Sequence, residues 1–341
     1  MTEKPAEPDG RPQGGPSLDR DGPARPGLTT FTIEGRAAPG LFVLGWLATL
    51  LGLGIAIIAA LAGGGLPGGV LFVVGLAILA IGLIAAAGGQ GLERRAAGRT
   101  DYAGPSPVLV FAAVLPLTIV LIVTIGAPLV RLGLDPDGPL AALTSLGITA
   151  IAYLVLLRLL VVGTGTLSWR EMGLARSGPI VADLAWGAVL AVPVLFGTGL
   201  LTLLLARLLP IPPSVLPAPP DTGGVLINLL AAAIVAPIAE ELFFRGFATT
   251  AWKRSLGARA ALVRGSLFFA IAHVLTLSGS NAPEAIGFAL FAFLARLPVA
   301  FALGWLFLRR GSLYAPIALH GAFNGLQVLA LAAAGGIGPT G

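Results

Sequence analysis

Apolar residues along this chain run in blocks of about 20, separated by short stretches where glycine, proline or basic residues gather. Blocks of that length match the hydrocarbon thickness a helix must cross in a bilayer. They fall at 41–63, 68–88, 107–130, 140–163, 179–206, 223–244, 264–279, 285–308 and 313–334. The seventh is short and the ninth rich in glycine, so the pattern predicts eight or nine spans. Alternating ten-residue segments, the mark of a transmembrane barrel, are absent. The expected fold is therefore all-α, a polytopic transmembrane helical bundle.

The segments between the blocks refine this. Residues 1–40 are rich in Pro, Gly, Asp and Arg with little to bury, which predicts a disordered tail. A four-span region at 41–163 follows, then a second region at 164–335 and a short tail at 336–341. The first apolar run starts near Leu41 and is too long for a leader's apolar core, so no cleaved signal is expected. The proline-dense loop 208–222 should be extended. Ser168 and Glu171 have capping-box spacing and predict a short interfacial helix over 168–174. Glycine-rich pieces at 63–69 and 163–165 lack the strand–helix context of a nucleotide loop and suit close helix contacts instead.

Composition agrees: 56% of the 341 residues are hydrophobic and 11% charged, where soluble domains carry roughly 25% charged residues. The net charge of +5 does not point to nucleic acid, because the basic residues are spread among the loops. Arg94, Arg95, Arg99, Arg170, Arg176, Lys253, Arg254, Arg259, Arg264, Arg309 and Arg310 fall on one side of the predicted topology. Only Arg131 and Arg207 fall on the other. The positive-inside rule then puts the N-terminus in the cytoplasm, and nine spans would leave the C-terminus outside. Cysteine is absent, which excludes thiol catalysis, disulfides and thiolate metal sites.

Against this apolar background a few polar residues stand out. Glu240 and Glu241 are adjacent inside an apolar stretch, and the two histidines of the chain, His273 and His320, are embedded likewise. Ionisable groups within a span are costly and mark function by default. Glu241 and Arg245 are four apart and can pair on a helix, while Glu240 points about 100° away. His320 and Asn324 share a face, and Phe269 lies one turn before His273. Counted from Lys253, Arg264 and Arg310, these groups lie about 10–20 Å into the membrane at 1.5 Å per residue. A carboxylate or imidazole there can take a proton from water, and an imidazole with an amide can stabilise an oxyanion. Two histidines and a glutamate are equally a catalytic zinc set. Arg296, mid-span before Pro298, either partners an acid, faces a water-filled cavity or is structural. Asp183 suits the first turn of the fifth span, favoured by the helix dipole.

Glu-Glu-x-x-x-Arg at 240–245, Phe-x-x-x-His at 269–273 and His-x-x-x-Asn at 320–324 resemble the three ordered motifs of the CAAX-protease and bacteriocin-processing family. The likeness covers roughly 165–330, including Leu167–Leu174 ahead of the motifs; the first four spans lie outside it. The resemblance implies an intramembrane endopeptidase in which Glu240 and His273 activate water and His320 and Asn324 stabilise the oxyanion. It assigns Glu241 and Arg245 to support. It implies no cofactor, with a divalent ion such as zinc on Glu240, His273 and His320 as the alternative. It further implies a membrane-associated peptide or protein as substrate, lipidated or not, and the bilayer of a bacterial plasma membrane as location. A non-proteolytic protein of the same fold that binds a partner, or a proton-coupled transporter, are the competing functions. The transporter lacks support from any inverted repeat.

Overall fold

In the computed structural model, residues 30–33, 36–63, 65–174, 179–214 and 216–334 are described. Residues 1–29 of the expected disordered tail, and the C-terminal tail at 336–341, lie outside them. Within that tail, Thr30–Ile33 (β1) and Arg36–Pro39 (β2) pair antiparallel. Among the described residues every regular element after them is a helix, as the sequence predicts.

Among the described residues, eight helices are long and apolar enough to cross a membrane: α1 Gly40–Leu61, α2 Leu66–Ala96, α3 Pro107–Arg131, α4 Pro139–Val162, α5 Ile180–Leu205, α6 Thr222–Leu256, α8 Ala282–Arg310 and α9 Tyr314–Ala334. The protein is an integral, multi-pass membrane protein. Outward faces carry Leu50, Ile58, Phe196 and Leu203, all exposed, where lipid is as apolar a neighbour as protein.

The remaining predicted span becomes a short helix, α7, Ala258–Ala272. Fifteen residues rise about 22 Å, short of the roughly 30 Å apolar core. Gly257, with φ +84, separates it from α6. At its other end the chain leaves helical geometry at His273 and reaches α8 by a non-helical connection. The start of α8 lies beside the proline-dense loop, Gly287 facing Pro210. The question of eight or nine spans thus resolves into eight full-length helices and one partial one.

Helix contacts rest on absent side chains. Gly45, Gly52, Gly75 and Gly82 bring the α1 and α2 backbones together, each lacking room for a Cβ against the facing helix. Gly187 does the same for α5 against the Ala315 carbonyl of α9. Below them, Phe111, Tyr153, Phe243, Phe244, Phe247 and Phe268 build an aromatic core among α3, α4, α6 and α7.

The basic ends of the helices are tied together. Arg310 pairs with Asp183, which occupies the first turn of α5 as expected. Arg95 donates to the Thr164 carbonyl at 2.7 Å. The predicted capping box forms, with Ser168 N–H donating to Glu171 Oε2 at 2.7 Å and Glu171 N–H to Ser168 Oγ at 3.2 Å. It does not start a helix. Met172 N–H, Gly173 N–H and Leu174 N–H close turns onto the Ser168, Arg170 and Trp169 carbonyls, and Gly173 at φ +93 turns the chain so that its carbonyl accepts from Leu313 N–H. Tertiary pairing at Gly173 ends what the local signal began.

Glu171 also accepts from Arg254 Nη2 at 2.6 Å. The Ser168 backbone N–H, then Arg254 and the Ser168 hydroxyl, hold its carboxyl down to about 2 from an ordinary 4.5. A depressed acid contributes stability above its unfolded value and loses it as pH falls toward the folded one. Glu171→Ala is therefore expected to lower the melting temperature at pH 7, modestly for so exposed a group. The gap to wild type should close as pH drops from about 4.5 to about 2. Thermal unfolding in detergent across that range measures both.

Candidate active site

The site is assembled by α6, and α6 is not a uniform helix. Leu230–Val235 and Leu242–Thr249 are wound as π turns around α-helical Ala236–Glu241. Pro237 has no N–H to give the carbonyls of Ala232 and Ala233, five and four residues back. Both carbonyls are met from α9. Asn324 Nδ2 donates to Ala232 at 2.9 Å, and Gly321 lies so close to Ala233 that a Cβ would stand 2.5 Å from its oxygen. Such π turns recur at functional sites because they free backbone groups and re-aim side chains.

Arg245 is the anchor. Its Nη1 donates to Glu241 Oε1 at 2.8 Å, the pair expected from their spacing. Its Nη2 reaches the Ala300 carbonyl of α8 at 3.3 Å, which Ser266 Oγ of α7 shares at 3.2 Å. Its guanidinium carbon stands 4.1 Å above the Phe269 ring of α7. One side chain therefore joins α6, α7 and α8. Arg245 and Glu241 are 1% and 0% exposed.

Both histidines turn the same atom to the same acid. His273 follows the last residue of α7, where terminal carbonyls lack helical partners; its Nδ1 lies 2.7 Å from the Phe269 carbonyl. A carbonyl only accepts, so His273 Nδ1 carries the proton and Nε2 is left facing Glu240 Oε2 at 3.4 Å. His320 Nδ1 donates to Glu241 Oε1 at 2.8 Å, and its Nε2 faces the same Glu240 oxygen at 3.9 Å. The Phe269 ring packs on both imidazoles, with centroid distances of 4.3 Å to His273 and 5.7 Å to His320.

Adjacent glutamates thus occupy opposite environments. Glu241 is sealed between Arg245 and His320. Glu240 is 18% and His273 25% exposed, while Glu240 Oε2 is itself buried with no hydrogen-bond partner among the described residues. Among the described residues no group of three or more His, Cys, Asp or Glu is arranged to hold a metal ion.

Of the six residues singled out by spacing, Glu240, Glu241, Arg245, His273 and His320 form one contact cluster, and Asn324 stands one turn beyond His320 on α9, bonded to α6 at Ala232. Asn324 differs from expectation in spending one amide hydrogen on Ala232. Spacing also passed over Gly321, whose recurrence with Gly325 at four residues is a close-packing signal, and Ala300, which has no sequence signal because it acts through its backbone.

Residues 222–326, the stretch that contains all three motifs, match the family model for type II CAAX prenyl endopeptidase Rce1-like proteins. The resemblance read from the motifs is borne out over that stretch, and the matched family is a family of membrane proteases. No curated protein and no solved structure matches the chain.

The two glutamates should separate on mutation. Arg245→Met strands the buried Glu241 and is expected to cost about 3 kcal/mol of stability. Glu240→Gln, which removes no hydrogen bond that holds the fold, should melt close to wild type. Unfolding of the two purified variants in detergent measures the contrast.

Proposed function

We propose that this protein is a membrane-embedded endopeptidase that hydrolyses a peptide bond of a membrane-associated protein or peptide. The observation that carries this reading is Glu240, partly accessible and with no hydrogen bond to its Oε2 among the described residues, held between the Nε2 atoms of His273 and His320. Glu240 accepts a proton from water and His273 Nε2 orients that water against the scissile carbonyl. The resulting hydroxide adds to the carbonyl carbon, and the proton passes from Glu240 to the leaving amine.

In this proposal His320, its ring set by the Nδ1 bond to Glu241, presents Nε2 to the oxyanion. The second amide hydrogen of Asn324 is the further donor. Phe269 holds both rings in place. The reaction runs without a resident metal in this proposal, and the basic helix ends face the cytoplasm, as the distribution of Lys and Arg supports.

Glu240→Ala and His273→Ala are each expected to lower cleavage of a quenched-fluorescent peptide panel by about 100-fold or more. Undiminished cleavage by Glu240→Ala overturns the assignment. Incubation with 1,10-phenanthroline and EDTA should leave wild-type turnover unchanged, with no stoichiometric zinc in elemental analysis of the active protein. Loss of activity restored by zinc would instead make the two histidines and Glu240 a metal site.

A further inference from the structure

One residue of the aromatic core carries a hydroxyl that packing does not explain. Tyr153 of α4 sets its ring 4.6 Å from Phe243 and 6.2 Å from Phe244, centroid to centroid. A phenylalanine would fill the same place with no polar atom to bury. Tyr153 is 6% exposed, and its hydroxyl makes no hydrogen bond among the described residues. Unlike Glu240 Oε2, that oxygen is not fully enclosed, so it borders open space. Buried tyrosine hydroxyls take a partner, and here the partner comes from that space.

The packing of α4 on α6 puts this hydroxyl beside Glu240. The two helices start together, Pro139 lying 3.3 Å from where a Cβ on Gly224 would stand, and they run the same way. Tyr153 is fourteen residues past Pro139 and Glu240 sixteen past Gly224. At 1.5 Å per residue these are about 21 Å and about 24 Å along the bundle, one level. Phe243 and Phe244, which the ring meets, follow Glu240 by three and four residues and share its side of α6. Side chains on a helix lean toward its N-terminus, which carries the phenol back from those rings toward the carboxylate. Glu240 is the acid whose field reaches Tyr153, and Phe244 lies 6.5 Å from the His273 ring. No hydrogen bond joins the hydroxyl to Glu240, so a gap separates donor from acceptor.

We infer that Tyr153 is a further catalytic residue, whose hydroxyl donates a hydrogen bond to the oxygen of the attacking water in the gap before Glu240. The inference rests on the endopeptidase reading and deepens it. With its proton on Nδ1, His273 offers Nε2 as an acceptor, as Glu240 offers a carboxylate oxygen. Both therefore take hydrogens from that water, and neither donates to it. Of the two lone pairs on the water, one attacks the scissile carbonyl, and the other is open to a donor that the phenol supplies. This bond strengthens as the water yields its proton to Glu240 and its oxygen gains charge. Tyr153 lies outside residues 222–326, so a span beyond the matched stretch completes the site.

The test uses full-length protein in detergent and a quenched-fluorescent peptide whose cleavage Glu240→Ala abolishes. Tyr153→Phe keeps the ring on Phe243 and removes only the hydroxyl. It is expected to lower kcat about tenfold, with KM and melting temperature close to wild type. An unchanged kcat overturns the inference. So does a rise in KM at constant kcat, which makes the hydroxyl a contact to the bound chain and not to the water. A fall in kcat matched by a lower melting temperature makes it structural and overturns the inference as well. If no peptide is cleaved in a Glu240-dependent way, the endopeptidase reading itself fails and this inference falls with it.

Discussion

Placing a guanidinium where no water can reach it constrains everything around it. Arg245 is almost wholly enclosed, and its charge is met by Glu241, by the Ala300 carbonyl and by the face of Phe269. Those three partners lie on three helices, so satisfying the cation and fixing the bundle are one event. Breaking any contact leaves a charge or carbonyl exposed to an apolar medium, which is far costlier than losing a contact on a wet surface. The positions of His273 and His320 follow from this, since one ends the helix that carries Phe269 and the other is bonded to Glu241.

From that anchor comes a division between two identical side chains in sequence neighbours. Glu241 is enclosed and shares one oxygen between Arg245 and His320. Glu240, one residue earlier and turned aside on the helix, is partly exposed and faces both imidazoles, while each glutamate leaves its Oε2 without a hydrogen bond among the described residues. The pair resembles a clamp and a jaw. The first sets the orientation of the imidazole that the second faces, so Glu241 is linked to Glu240 through His320.

Much of this was legible before any coordinates. Block length gave the helices, and i,i+4 spacing gave the Glu241–Arg245 pair, because both depend on local geometry alone. Spacing could not say that α7 would stop at 15 residues, since its apolar pattern continues past the point where the chain leaves the helix. Nor could it see the π turn at Leu230–Val235, where Pro237 frees the Ala232 carbonyl and Asn324 of α9 meets it. The same limit explains Asn324, whose side chain shares a face with His320 but is drawn partly to Ala232. Capping at Ser168 shows the reverse case, a correct local signal overruled by the pairing of Gly173 with Leu313.

The short seventh helix has a wider consequence. A full-length span would shut its own amides and carbonyls away, leaving the bilayer continuous around it. Here the chain leaves helical geometry at His273, and residues 274–281 carry few internal backbone bonds as they pass to α8. Hydrocarbon cannot solvate such groups, so irregular backbone within a span is held by protein around it or faces a hydrated space. The truncated span thus interrupts the helical wall, and it does so where the imidazole meets Glu240. The proposed hydrolysis needs water as a reagent, and a break in the helix beside Glu240 is a place for that reagent to enter.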